Sequence, residues 1–293
     1  MDRVLLVALL TVVIHLIGTL VYVARFSGVK TKRLATAFSI YQVIYLIAMT
    51  ANMVQAPLLS LTVEQAINTG QIYKQAYLNE LEQNMRLIIL AASGGTAVAG
   101  LLTPFFVFLF NRTIFLFERI GSLPALVLSL FAPSRFFKVL RELCMALTYL
   151  GKSYSRRLSG YSLPSSTVRF RRSFFPAKLF VINILVVGIW TTGVLSALYA
   201  GALTPAFRST ASLLSGIVNL IAVILDTFLV DPVTAMITDQ TLQGTRQERE
   251  ILHLTFWLIS SRFLGTLFAQ LLFLPATFLV RYATLMVSGG SLF

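Results

Sequence analysis

The chain is poor in charge. Only 12% of its 293 residues are charged, where a soluble domain carries about 25%. Hydrophobic residues make up 57%, and the mean hydropathy is +0.81. A soluble fold of this length could not cover so much apolar surface. Cysteine is limited to Cys144, which excludes an internal disulfide and a cysteine-based metal site. The two histidines, His15 and His253, are too few for a histidine cluster. GxxxxGKS/T, HExxH, GxSxG and CxxC are all missing, so the signatures of a P-loop ATPase, a zinc protease, a serine hydrolase and a thiol redox protein are absent. Asp226, Asp231 and Asp239 stand 5 and 8 residues apart but lack the DGxxAR setting of membrane phosphatidyltransferases. Neither a metal nor a cofactor is expected.

What the chain does have is long apolar runs. Spanning a bilayer takes about 20 apolar residues. Six stretches qualify, at 4–24, 35–60, 86–110, 178–203, 209–230 and 251–280. Helices are the expected form, because each backbone polar group must be satisfied within its own segment. The alternation of a membrane barrel is not seen. The first run exceeds the apolar core of a signal peptide, and no A-x-A site follows, so it reads as a retained span. The expected fold class is an all-α polytopic integral membrane protein, one membrane domain over 1–293. GLLTPFF (100–106) echoes GALTPAF (201–207), which reads as chance or as two similar proline-terminated helix ends.

Charge gives those spans a direction. The formal net charge is +13, and 12 of the 24 Lys and Arg lie within 111–178. The gaps after spans one, three and five, with Lys178 at the edge of span four, hold 18 basic residues; the opposite side, with Arg86 at the edge of span three, holds 5. By the positive-inside rule both termini are extracytoplasmic. The connection 111–177 is then cytoplasmic. Within it, 135–150 (RFFKVLRELCMALTYL) alternates basic and apolar residues at helical spacing and reads as an interfacial amphipathic helix. The stretch 152–176 reads as an extended loop. The polar connection 61–85 is expected outside, with a short surface helix as one form. A basic membrane face favours anionic lipid headgroups, and the basicity reads as orientation rather than nucleic-acid binding.

Small residues recur at packing spacing: Ala92, Thr96 and Gly100 in span three, and Gly188, Thr192, Ser196 and Ala200 in span four. Larger polar groups form stripes. His15, Thr19, Tyr22 and Arg25 share a face of span one, and Gln42, Tyr45, Asn52 and Gln55 one of span two. Ser212, Ser215, Asn219 and Asp226 line span five, and Arg262, Thr266 and Gln270 cluster in span six. Four striped helices imply a shared polar interior, with His15, Thr19, Tyr22, Gln42, Asn52, Gln55, Asn219, Asp226, Arg262 and Gln270 as candidate lining. Interhelical hydrogen bonding alone is the alternative. Asp226 and Arg262 are expected to pair.

The run IHLIGTLVYVARFSGVKTKRLATAFSIYQVIYLIAMTANMVQAPLL (14–59) resembles the start of the Amj family, alternate lipid II flippases of bacteria. His15, Thr19, Arg25, the turn Gly28 to Thr31 and the run Thr50 to Pro57 carry that resemblance. DPVTAMITD (231–239) and GTLFAQLLFLPA (265–276) resemble the family as well. Two positions depart from its pattern: Gly18 stands where an acidic residue is expected, and Met49 where an arginine is.

The resemblance implies a flippase and not an enzyme. Such a protein moves undecaprenyl-diphosphate-linked glycopeptide (lipid II) to the outer leaflet of the bacterial cell membrane for cell-wall synthesis. Arg25, Lys30, Lys32 and Arg33 are then candidates for the diphosphate and peptide carboxylates, since arginine offers a planar fork and lysine a point charge. Lipid II and anionic lipids are the implied partners, with no nucleic acid, and an oligomer is left open. Two alternatives stay open: a transporter of another anionic or polyprenyl-linked lipid, and a membrane enzyme acting on lipid diphosphates.

Overall fold

A computed structural model describes residues 3–126 and 177–289. The expected amphipathic helix at 135–150, the loop at 152–176 and Cys144 lie outside the described residues. Helices α1 (Arg3–Thr31), α2 (Leu34–Asn68), α3 (Gln75–Leu101) and α4 (Thr103–Ile120) form the first part. Helices α5 (Ala177–Leu203), α6 (Arg208–Leu213), α7 (Ser215–Leu225), α8 (Asp231–Leu242) and α9 (Glu248–Val287) form the second. No strand occurs among the described residues. Six helical stretches are long and apolar enough to cross a membrane: α1, α2, α3, α5, the interrupted stretch Pro205–Leu242, and α9. The chain is an all-α polytopic membrane protein.

Both TP motifs mark breaks. The apolar run 86–110 is divided: α3 ends at Leu101 and α4 begins at Thr103, with Pro104 in its first turn. In the same way α5 ends at Leu203, ahead of the single turn Pro205–Phe207. Proline lacks an N–H and clashes with the carbonyl four residues back, so the helix cannot run through unaltered. The preceding threonine bonds back to the carbonyl four residues earlier in each case. Thr103 Oγ1 donates to Ala99 O at 3.0 Å, and Thr204 Oγ1 to Ala200 O at 2.8 Å.

Proline also explains the interruption in the fifth span. Asp226–Val230 is a π-helical turn immediately before Asp231-Pro232. Asp231 N–H donates to Asp226 O, five residues back. The ring of Pro232 would crowd the carbonyl of Phe228 in a regular helix, and the wider turn relieves that contact.

The polar connection 61–85 is largely helical. α2 continues to Asn68, Gly70 takes a left-handed conformation, and α3 starts at Gln75. At the other end of α2 the hairpin with α1 is tight. A Cβ on Gly28 would meet Leu34 Cα at 2.9 Å, so glycine is required there.

Glycines set the closest helix crossings. A Cβ on Gly265 of α9 would meet Ile184 O at 2.8 Å, and one on Gly188 of α5 would meet Gly265 O at 3.2 Å. The α5 row of small residues therefore packs on α9, as in small-xxx-small contacts generally. A Cβ on Gly95 of α3 would overlap the Val12 carbonyl of α1.

The buried side chains fall into apolar clusters at different depths. One joins Val7 of α1, Leu59 and Val63 of α2, Met85 and Ile88 of α3, Leu195 and Tyr199 of α5, and Phe273 of α9. A second joins Tyr22 and Val29 of α1, Leu179 and Val186 of α5, Ile237 of α8, and Ile251 and Leu258 of α9. Along α1 and α9 the polar residues between these clusters include Thr11, His15, Thr19, Ser261, Arg262 and Thr266. A polar layer thus lies within the apolar bundle partway along these helices.

Candidate functional site

The polar layer contains locks and unsatisfied groups. Three interhelical pairs are locks. Gln55 Nε2 donates to Thr11 Oγ1 at 3.0 Å, tying α2 to α1. Asn183 Nδ2 donates to Ser261 Oγ at 2.7 Å, tying α5 to α9. Gln270 Nε2 donates to Arg86 O at 2.8 Å, while Arg86 Nη1 donates to Gln270 O at 2.9 Å, tying α9 to α3. Each satisfies groups that are costly to bury unpaired. Asn183, 1% exposed, and Arg86 were missed by the stripe reading. Asn183 stands alone among apolar residues, and Arg86 sits at a span boundary.

Other candidates are used within helices or in packing. Thr19 is fully buried and donates to His15 O at 2.7 Å. Tyr22 belongs to the second apolar cluster. Asn219 wedges its amide against Gly193 of α5, where no side chain stands in its way. Thr266 is fully buried and bonds the Phe263 carbonyl. On α2, Gln42, Tyr45, Met49 and Asn52 share an exposed face, while Gln55 is buried. Steps of three fall short of a 3.6-residue turn, so the row drifts until Gln55 faces α1.

The basic candidates separate sharply. Lys30 and Lys32 are exposed at the α1–α2 turn, with Lys32 at φ 56°. Arg33 is ion-paired with Glu118 of α4 on the surface. Arg25 alone turns inward. It is half-buried, its guanidinium carbon lies 5.9 Å from the Phe38 ring centre, and Asp231, Asp226 and Tyr22 are its electrostatic neighbours.

The π turn brings the two aspartates within reach of that arginine. In an α-helix, residues five apart are rotated by about 140° and nearly oppose each other. Closing the turn with a five-residue bond stacks them instead, so Asp226 and Asp231 both act on Arg25. The sequence signal is Asp-x4-Asp-Pro. A regular helix would have hidden its meaning.

Asp226 also has Arg262 as an electrostatic neighbour. The two were expected to pair, but no contact ion pair joins them among the described residues. Arg262 instead lies against Gly18 of α1, where a Cβ would meet Nη2 at 2.5 Å. Its Nε is buried without a hydrogen-bond partner, as is Nδ1 of His15. His15 and Tyr41 are the remaining electrostatic neighbours of Arg262. No cluster of three or more His, Cys, Asp or Glu suited to a metal ion occurs among the described residues. Arginines and aspartates set among tyrosines inside an apolar bundle can bind and release an anion.

The fold and this layer define a multi-pass helical membrane protein with a charged interior. Residues 10–284 match the family Amj, described as "Alternate to MurJ". Across 288 residues, 97% of each chain, it is 33% identical to "Lipid II flippase Amj" of Bacillus subtilis (strain 168). The chain belongs to the Amj family. No solved structure matches it.

Proposed function

We propose that this protein is a lipid II flippase of the cell membrane. It carries the undecaprenyl-diphosphate-linked glycopeptide from the cytoplasmic to the outer leaflet for peptidoglycan synthesis. Its relative in Bacillus subtilis bears that activity in its name. The 18-to-5 charge split supports termini outside and the Arg25 end of α1 inside, in keeping with loading from the cytoplasmic leaflet.

The observation that carries the reading is the inward turn of Arg25, beside two carboxylates and away from the exposed lysines. A partly buried arginine with two carboxylates as electrostatic neighbours, and no contact ion pair to either among the described residues, can take a diphosphate, whose oxygens match its fork. Lys30 and Lys32 gather anionic headgroups at the surface, and Arg33 is engaged by Glu118. Gln42 and Asn52 lie uncovered on one face of α2 and offer sugars and peptide a polar track, while the polyprenyl chain stays in lipid. Translocation leaves the cargo chemically unchanged.

The test is reconstitution into liposomes with labelled lipid II in the inner leaflet. Wild type moves label outward with its mass unchanged. Arg25→Lys keeps the charge, loses the fork, and should slow transport about tenfold, the worth of one charge-assisted hydrogen bond. A chemically altered product would show an enzyme. Transport of other anionic lipids at the same rate would show a broader transporter.

A further inference from the structure

We infer that Arg262 is a second anion-binding position midway through the bundle, taking the cargo's diphosphate after Arg25, and that Gly18 keeps its guanidinium accessible. This rests on the lipid II reading and adds to it where the cargo headgroup stops within the membrane.

Three observations meet at Arg262. Its Nε is buried and lacks a hydrogen-bond partner among the described residues. A guanidinium has five donors in a fixed fork, and leaving one unbonded in a membrane interior is costly unless a ligand or substrate completes it. Second, the facing residue on α1 is glycine. A Cβ there would stand 2.5 Å from Nη2 and 3.4 Å from Cζ. Any side chain at position 18 would push the guanidinium away from α1. Third, its carboxylate neighbour Asp226 forms no contact ion pair with it among the described residues and also acts on Arg25.

The ligand class follows from what is missing. Asp226 balances charge at a distance but supplies no oxygen to the fork. A diphosphate brings several acceptor oxygens and can engage two donors at once. His15 from α1 and Tyr41 from α2 are electrostatic neighbours of the guanidinium and have polar atoms to add. Gly18 and Arg25 are seven residues apart on α1, so they share a face and lie about 10 Å apart along its axis. The two arginines thus offer the diphosphate successive positions along this face, and Asp226 is the electrostatic neighbour common to both.

The experiment uses the full chain in lipid nanodiscs, with lipid II, undecaprenyl diphosphate and undecaprenyl phosphate as probes. Transport of labelled lipid II in liposomes is followed in parallel. Arg262→Gln should weaken lipid II and undecaprenyl diphosphate binding at least about tenfold. Arg262→Lys should fall between and lose preference for diphosphate over monophosphate, because a point charge does not read the fork. Gly18→Ala is the safeguard against misfolding, since it displaces only the far end of a flexible side chain. It should keep monodispersity and wild-type thermal stability yet reduce diphosphate binding severalfold. Wild-type binding and probe selectivity in all three variants would overturn the inference while leaving the lipid II reading intact. Conversely, if wild type binds undecaprenyl diphosphate through Arg262 but does not transport lipid II, the inference stands and the cargo assignment falls.

Discussion

Arg86 and Gln270 hold each other twice across the α3–α9 interface. The Arg86 Nη1 donates to the Gln270 carbonyl and the Gln270 amide donates to the Arg86 carbonyl. Arg86 is further fixed by Glu82 at 2.8 Å and lies over the Phe273 ring at 5.6 Å. The arginine therefore works as a fastener between α3 and α9.

Removing half of that fastener should cost stability before it costs transport. Gln270→Ala takes away one donor and exposes a buried carbonyl, an effect of about 1–3 kcal/mol. The midpoint of thermal aggregation in detergent, read by size-exclusion chromatography, should fall by several degrees. Transport per folded molecule should hold. An unchanged midpoint would mean the reciprocal bonds contribute nothing measurable.

Adjacent glycines on α3 should behave oppositely. Gly95→Ala drives a methyl group into the Val12 backbone, which cannot step aside as a side chain can. Overpacking of that kind costs about 1–3 kcal/mol. Gly94 faces open space, and Gly94→Ala should be tolerated or mildly stabilising. Comparison of membrane yield and melting midpoint settles it, and equal behaviour would refute the close α1–α3 approach.

The α2 stripe can be dissected in the same way. Asn52 is exposed and Gln55 is buried against Thr11. Asn52→Leu should leave folding unchanged and slow lipid II transport. Gln55→Leu strands the Thr11 hydroxyl's partner position and should lower stability. If Asn52→Leu transports at the wild-type rate, the outer face of α2 does not carry cargo.

Orientation is open to a direct check, because Cys144 is the chain's only thiol. A membrane-impermeant maleimide on intact cells should leave it unlabelled, and permeabilisation should expose it. Strong labelling from outside would reverse the assigned direction of the bundle.

The sequence alone determined the solvent, the element type and much of the punctuation. Twenty apolar residues in a row have few fates besides a membrane helix. Proline favours a helix break, and both TP motifs mark one, although Pro57 and Pro275 are carried inside α2 and α9. The family was also legible, since runs such as TANMVQAP survive in polar residues that a membrane span does not otherwise need. What the sequence could not determine was which polar groups meet. Periodicity fixes the face of a helix, but the partner depends on how helices rotate and cross. Thus Gln55, placed with Asn52 by spacing, turned to Thr11. Gln270, placed with Arg262, turned to Arg86. Asp226 and Asp231 met at Arg25 only because Pro232 widened one turn. Gly18 read only as a departure from the family pattern until the bundle set Arg262 against it, since the absence of a side chain acquires structural meaning from its neighbour.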